Sequence, residues 1–253
     1  MPRSAAFPLL FLALCAFGSA ARAEGLDRDT LLTEAPAVPD SGTVRLTGAA
    51  NGQAPSAANN STGGVSGSLM WAPISRVAGD VGMYVQGPNS GPTVRVRIQI
   101  LKQSDVGLDL TIGARFKEFG FLSKANSVNP AGEFEYLLAA GKSIGAFDAI
   151  LNTVIGFEAG GPGSDLEAKA FVGYRIFDNL RAGLDGRVQA EYKDENGYKK
   201  PNLANDVDIF AGPGISWLVL HDKLQLQALA GVAKPRGAQN ASPGGLLAAA
   251  FDF

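Results

Sequence analysis

The sequence predicts an all-β chain, closed into an antiparallel up-and-down transmembrane β-barrel of about twelve strands (ten to twelve). Three observations carry that prediction. From about Thr43 onward, apolar and polar residues alternate with a period of two rather than the ~3.6 of a helix. Short links alternate with long polar ones. No stretch after Ala23 approaches the ~18 consecutive apolar residues of a membrane-spanning helix. A membrane-bound form of this chain must then be a closed barrel, which also satisfies every backbone polar group. Of the 253 residues, 46% are hydrophobic and 18% charged, and a net charge of −2 offers nucleic acid no electrostatic footprint. One His and one Cys leave almost no material for a zinc site or a Cys/His nucleophile.

In chain order, residues 1–23 read as a Sec-type signal peptide. Arg3 gives the positive start, Phe7 to Phe17 the apolar run and Ala21-Arg22-Ala23 the small-x-small cleavage site. Cys15 lies in this segment, behind Leu14 where a lipid-anchored cysteine wants a small residue, so the mature chain is expected to lack cysteine and disulfides. Residues 24–42 have no period and several Pro and acidic residues; they are expected as a periplasmic N-terminal extension. Residues 43–253 are the barrel. Alternation is strongest over 93–100, 108–117, 147–157, 166–174, 180–192, 207–217 and 224–233, and weaker over 43–48, 65–72, 79–86, 133–141 and 245–253. In Leu180–Tyr192, for example, Arg181, Asp185, Arg187 and Glu191 share one face, opposite Leu180, Leu184 and Val188. Gly212-Pro213-Gly214 falls within a strand, where Pro cannot donate to a ladder, and predicts a bulge. Short links (141–146, 176–179, 219–222) alternate with long ones (51–64, 121–132, 193–205, 234–243), placing the short turns and both chain ends in the periplasm.

Alternation alone also suits a soluble periplasmic β-protein with its apolar parity turned inward. Two features favour the opposite orientation. Apolar-parity aromatics fall at two levels, Trp71, Phe147, Tyr174, Trp217 and Phe253 at the short-turn end and Phe116, Phe134, Phe157 and Tyr192 at the long-loop end. Two rings of aromatics around an aliphatic band suit the two lipid–water interfaces. The chain also closes on Leu247, Ala249, Phe251 and Phe253 at alternating positions. This last strand resembles the C-terminal signal of Gram-negative outer-membrane β-barrel proteins. The resemblance implies that these four residues are read by the barrel-assembly machinery during insertion. It implies a bacterial outer-membrane location, with membrane lipid and lipopolysaccharide as surroundings and a monomer or small homo-oligomer as the form.

The other parity then faces the lumen, because an Arg or Lys facing lipid costs about 2–4 kcal/mol at the midplane. The candidate lining comprises Arg95, Arg97, Asp109, Arg115, Glu135, Asp148, Lys169, Arg181, Asp185, Arg187 and Asp208. Two readings stay open: cross-strand pairs that brace a structural envelope barrel, or a narrow passive pore with a charged lumen. Inward Gly113, Gly183 and Gly212 leave room for the pore. A rival of another class is a surface-exposed binding or adhesion scaffold using residues 51–64 and 193–205.

No catalytic, cofactor or metal site is expected, and no enzyme. His221, beside Asp222 and near Ser216, reads as a hydrated turn residue. Asp194-Glu195-Asn196-Gly197 with Asp206 reads as a hairpin turn before it reads as a cation site. Gly160-Gly161-Pro162-Gly163 lacks the Lys-Ser/Thr of a phosphate loop and reads as a flexible tip. Asn59, Asn60 and Asn240 match a glycosylation triplet that means little in a bacterial envelope.

Overall fold

The computed structural model describes residues 26–54, 62–87, 89–119, 132–194, 196–198, 201 and 206–253. Residues 1–25, with the expected signal peptide and Cys15, lie outside the described residues, as do Asn59, Asn60, Glu195 and much of the loops at 51–64 and 193–205.

The strands are β1 (Val44–Gln53), β2 (Thr62–Ile74), β3 (Val77–Gln86), β4 (Asn89–Leu101), β5 (Asp109–Glu118), β6 (Gly132–Ile144), β7 (Phe147–Ala159), β8 (Ser164–Phe177) and β9 (Leu180–Asp194). They continue as β10 (Gly197–Tyr198), β11 (Val207–Val219), β12 (Leu224–Lys234) and β13 (Ser242–Asp252). Each pairs antiparallel with its sequence neighbours, except that β9 pairs with β11, and the two-residue β10 only extends the β9 hairpin. Pairing of β13 with β1 closes a ring of twelve strands. At that seam Arg45 stands opposite Asp252 and donates to it at 2.6 Å.

Period two places the side chains. Along β7 the burial alternates, with Asp148, Ile150, Asn152 and Val154 buried and Phe147 and Ile155 exposed. The same parity rule leaves Val81, Val96, Val172 and Leu184 exposed outside while Arg97, Thr111, Asn152 and Asp185 are buried inside. A soluble barrel would reverse these faces. The expected bulge at Gly212-Pro213-Gly214 is absent. β11 keeps one register with β9 through Gly212 and Pro213, and resumes with β12 after those two residues without a shift. A Cβ on Gly212 would collide with the Ala230 carbonyl, so the missing side chain lets the strands pass closely, and no extra residue is inserted.

The short-turn end differs in one link. Between β4 and β5 the chain makes one helical turn, α1 (Gln103–Val106), stopped by Gly107 at φ 79°. Gln103 folds back over the barrel end, donating to the Ser143 carbonyl and accepting from the Ser143 N–H, both at 2.7 Å. At the other end, the β7–β8 turn is held by Glu158, whose carboxylate accepts from Gly163 N–H at 2.7 Å, so Gly160–Gly163 is a pinned turn rather than a free tip.

Candidate functional site

Of the residues 24–42 expected to precede the barrel as an extension, those from Leu26 to Pro39 lie inside it. From Leu26 the chain turns back on itself, closed by Ala37 N–H to Leu26 C=O at 3.2 Å. Thr30 and Thr33 share hydroxyls at 2.6 Å, and Ala35 N–H donates to Asp29 at 2.8 Å. Pro36 and Pro39 lack the N–H a ladder would need, so this segment cannot join the sheet as a strand. Its polar groups find wall side chains instead. The difference has a physical cause: the acids, threonines and prolines of residues 26–40 match an interior lined with cations and amides, and the few apolar side chains among them find apolar seats on the wall.

The loop is bolted to strands all round the ring. At the short-turn end Arg28 donates to Asp252 and to the Asp222 carbonyl, both at 2.6 Å. Asp29 accepts from Arg95 at 2.9 Å and from Arg97 at 3.2 Å. Thr30 and the Leu32 N–H donate to Asp185 at 2.5 and 3.0 Å. Asn152 spends both ends of its amide on the Glu34 backbone, at 2.7 and 3.0 Å. The Glu34 carboxylate takes Lys169 at 2.9 Å and lies 3.6 Å from Arg115. Thr111 donates to Pro36 C=O at 2.6 Å, and Val38 N–H to Gln99 at 3.1 Å. Burial opposes the charge on Asp29, yet Arg95 and Arg97 hold its carboxyl well below the usual carboxylate range. Glu34 is likewise lowered against burial, by Lys169 and then Arg115.

Apolar contacts seat the same loop. Leu26 is buried against Ile150 and Phe171, and Val38 against Met70, Ala72 and Ala78. Pro36 presses so closely on Gly141 that a Cβ there would overlap its ring. Facing β11 and β12, a gap of about 20 Å³ lined by Thr30, Leu31, Ser216 and Gln227 has room for roughly one water.

All eleven lining candidates face the interior. Asp148 is 1% exposed, with Ser143 at 2.5 Å and Arg181 at 3.2 Å; Asp109 accepts from Gln99 and the Gln103 N–H. Glu135 pairs with Arg115 and Lys117. Arg187 lies 3.4 Å from Glu167, and Asp208 accepts from the Arg236 N–H. The inward glycines do not leave open space: the Phe171 ring covers Gly183, and the Arg97 stem lies 3.3 Å from a Cβ at Gly113. The pairing is in part a ladder of opposites, with Asp80 across from Arg95, Glu135 from Arg115 and Asp252 from Arg45, but not throughout. Arg95 stands directly across from Arg115, and Lys169 from Arg187, arrangements that repel. Asp29 and Glu34 supply the missing counter-charge.

The aromatics form outward contacts at both ends, Phe116 with Phe134 at 4.8 Å between ring centroids and Phe147 with Tyr174 at 4.9 Å. Trp71, Trp217 and Phe253 are exposed, as are Phe157 and Leu247; Phe251 packs on Phe253 at 5.1 Å, with Ala249 one outward position before it. Tyr192 stacks on Tyr198. His221 sits in an exposed turn of three successive left-handed residues, Leu220 to Asp222, while Ser216 points inward and is engaged by Gln225. Asp194 accepts from the Asn196 N–H, closing a local turn. Among the described residues no three His, Cys, Asp or Glu converge as metal ligands.

Asp29, Thr30, Glu34 and Pro36 were not singled out from the sequence. A signal for the loop that carries them lay in exceptions on the polar parity: Ile150 and Phe171 point inward, and their apolar partner there is Leu26.

Several solved structures share the fold. The NanC porin superposes with a TM-score of 0.60 at 7% identity, over 83% of this chain and 100% of that one. An outer-membrane channel from Pseudomonas putida F1 gives 0.56 at 10% identity, over 86% and 97%. The KdgM porin gives 0.52 at 11% identity, over 83% and 99%. No protein-family model matches the chain, and no curated protein matches it by sequence. The chain shares with these outer-membrane proteins the fold of a closed antiparallel barrel, here of twelve strands.

Proposed function

We propose that this chain is a narrow passive channel of the bacterial outer membrane whose resting state is closed by its own residues 26–40. The observation that carries the reading is the mode of attachment. The loop is held by side-chain bonds and apolar seats, and none of the twelve-strand ladder passes through it. Releasing it leaves the barrel whole. Twelve strands enclose more width than the eight that wall side chains fill by themselves, and the likeness in fold to porins and a channel supports a conducting role.

The same reading takes residues 1–23 as a Sec signal, the short turns as periplasmic, the aromatic rings as lipid–water anchors beside lipopolysaccharide, and Leu247, Ala249, Phe251 and Phe253 as the signal to the assembly machinery. It assigns no catalytic role. Planar-bilayer recording tests it. The full-length mature barrel is expected to give rare, brief openings, and a variant lacking residues 26–38 stable, uniform steps. Silence from both, with folding verified by heat-modifiable gel mobility, leaves a braced structural barrel and removes the channel.

A further inference from the structure

We propose that Asp29 and Glu34 occupy the subsites of an anionic solute, so that the open channel selects di- and polycarboxylates and these compete the plug away. The inference rests on the channel reading and adds its substrate class. Its basis is the charge left on the wall when the loop is set aside. Arg97 is 2% exposed, and among the described residues Asp29 is the one carboxylate within ion-pair reach of it. Its Nε has no hydrogen-bond partner, and its Nη2 meets only the Met70 sulfur at 3.7 Å. Arg95 keeps Asp80 but faces Arg115 across the ladder. Arg115 shares Glu135 with Lys117, and Lys169 shares Glu167 with Arg187. Glu135 serves both Arg115 and Lys117, with Glu133 a further 3.9 Å from Lys117, and Glu167 serves both Lys169 and Arg187, so among the described residues the wall keeps under-matched donors at two places: beside Arg95 and Arg97, and between Arg115 and Lys169.

The plug puts one carboxylate at each place. Guanidinium forks suit carboxylates for geometric as well as Coulombic reasons. Asp29 keeps 38% of its side-chain surface exposed, against 11% for Arg95 and 2% for Arg97, so the loop's carboxylate is the accessible member of the cluster and the guanidinium groups lie behind it. A ligand with one carboxylate can replace only one of the two anchors. A ligand with two or more can replace both, and it shifts the balance by its preference for the open form.

The test uses the full-length mature protein in planar bilayers, with citrate, acetate, glycerol and spermidine as probes. Citrate is expected to raise the opening frequency of the unaltered protein about tenfold or more over acetate, glycerol and spermidine. The double variant Asp29→Asn/Glu34→Gln is expected to open without citrate, and its reversal potential in a KCl gradient to favour chloride. The variant lacking residues 26–38 provides the same reading should the double variant fail to fold, and in it Arg97→Gln is expected to weaken citrate block about tenfold. An open but unselective or cation-selective deletion variant overturns the inference and leaves the channel standing. No conductance from a folded deletion variant overturns both.

Discussion

The arc of wall from β4 to β9 and the arc from β11 through β13 to β2 obey the same alternation, yet they treat the plug differently. The first presents Arg95, Arg97, Thr111, Arg115, Asn152, Lys169 and Asp185, and each of these bonds or ion-pairs with the loop. The second presents mostly small residues: Ala49, Ser68, Gly214, Ser216, Gly231, Gly244 and Ala248. At the depth of the loop tip its direct bond is Gln227 to the Asp29 carbonyl at 3.0 Å, beside the one-water gap. Closure of the barrel comes from backbone pairing and is equal all round. The loop's bonds are densest on the first arc; on the second they gather at the short-turn end, where Arg28 meets Asp252 and Arg45 meets Asp27. On the proposed channel reading, the small-residue arc is the side along which a path is expected to open when the grip on the other arc fails.

The comparison breaks most completely when the plug is removed. Deleting residues 26–38 should raise mean current at fixed voltage by on the order of a hundredfold, since a state held by several buried polar contacts is rarely open. Unchanged current in a folded variant would place the closure elsewhere. Next in size is Asn152→Ala, which strands the buried N–H and C=O of Glu34 at about 1–3 kcal/mol each. Opening frequency should rise about tenfold or more, while the heat-induced mobility shift of the barrel stays put. A lowered unfolding temperature with no change in opening would make Asn152 a wall residue only.

A smaller effect probes the opposite arc. Ala248→Leu, pointing inward from β13 beside Gln227, should narrow the path in the deletion variant and cut its conductance by roughly half, with no change in how often the intact protein opens. Larger conductance would show that the path runs along β4–β9 instead. The smallest effect is on pH. Asp29 and Glu34 have carboxyls lowered by their cations, so their contribution to closure is complete above the ordinary carboxylate range near pH ~4 and is lost as pH falls through the lowered values. Opening frequency should be flat from about pH 8 to pH 5 and rise only below ~4. A rise between pH 6 and 7 would point to a group other than these two.

The barrel was legible because its rule is local: a period of two needs only neighbouring residues, and each of the twelve expected segments is a strand. Parity acts the same way on single residues: it puts Arg97 and Asp185 on the inner face, where both are buried. The plug was not, because Pro36 and Pro39 erase any period, and its partners lie far along the chain: Glu34 binds Asn152 and Lys169, and Arg28 reaches Asp252. The bulge expected at Pro213 failed because Gly212 and Gly231 on the adjacent strand permit a close approach that no single-strand pattern reports.

By itself, the sequence determined the architecture and which face each strand turns inward, since backbone pairing and alternation act between neighbours and tolerate any filling. Only the tertiary structure decided what fills the ring. The match of Asp29 and Glu34 to Arg95, Arg97, Arg115 and Lys169 depends on which side chains three strands, β4, β5 and β8, bring within reach of the loop, and that is set by the stagger of the closed barrel.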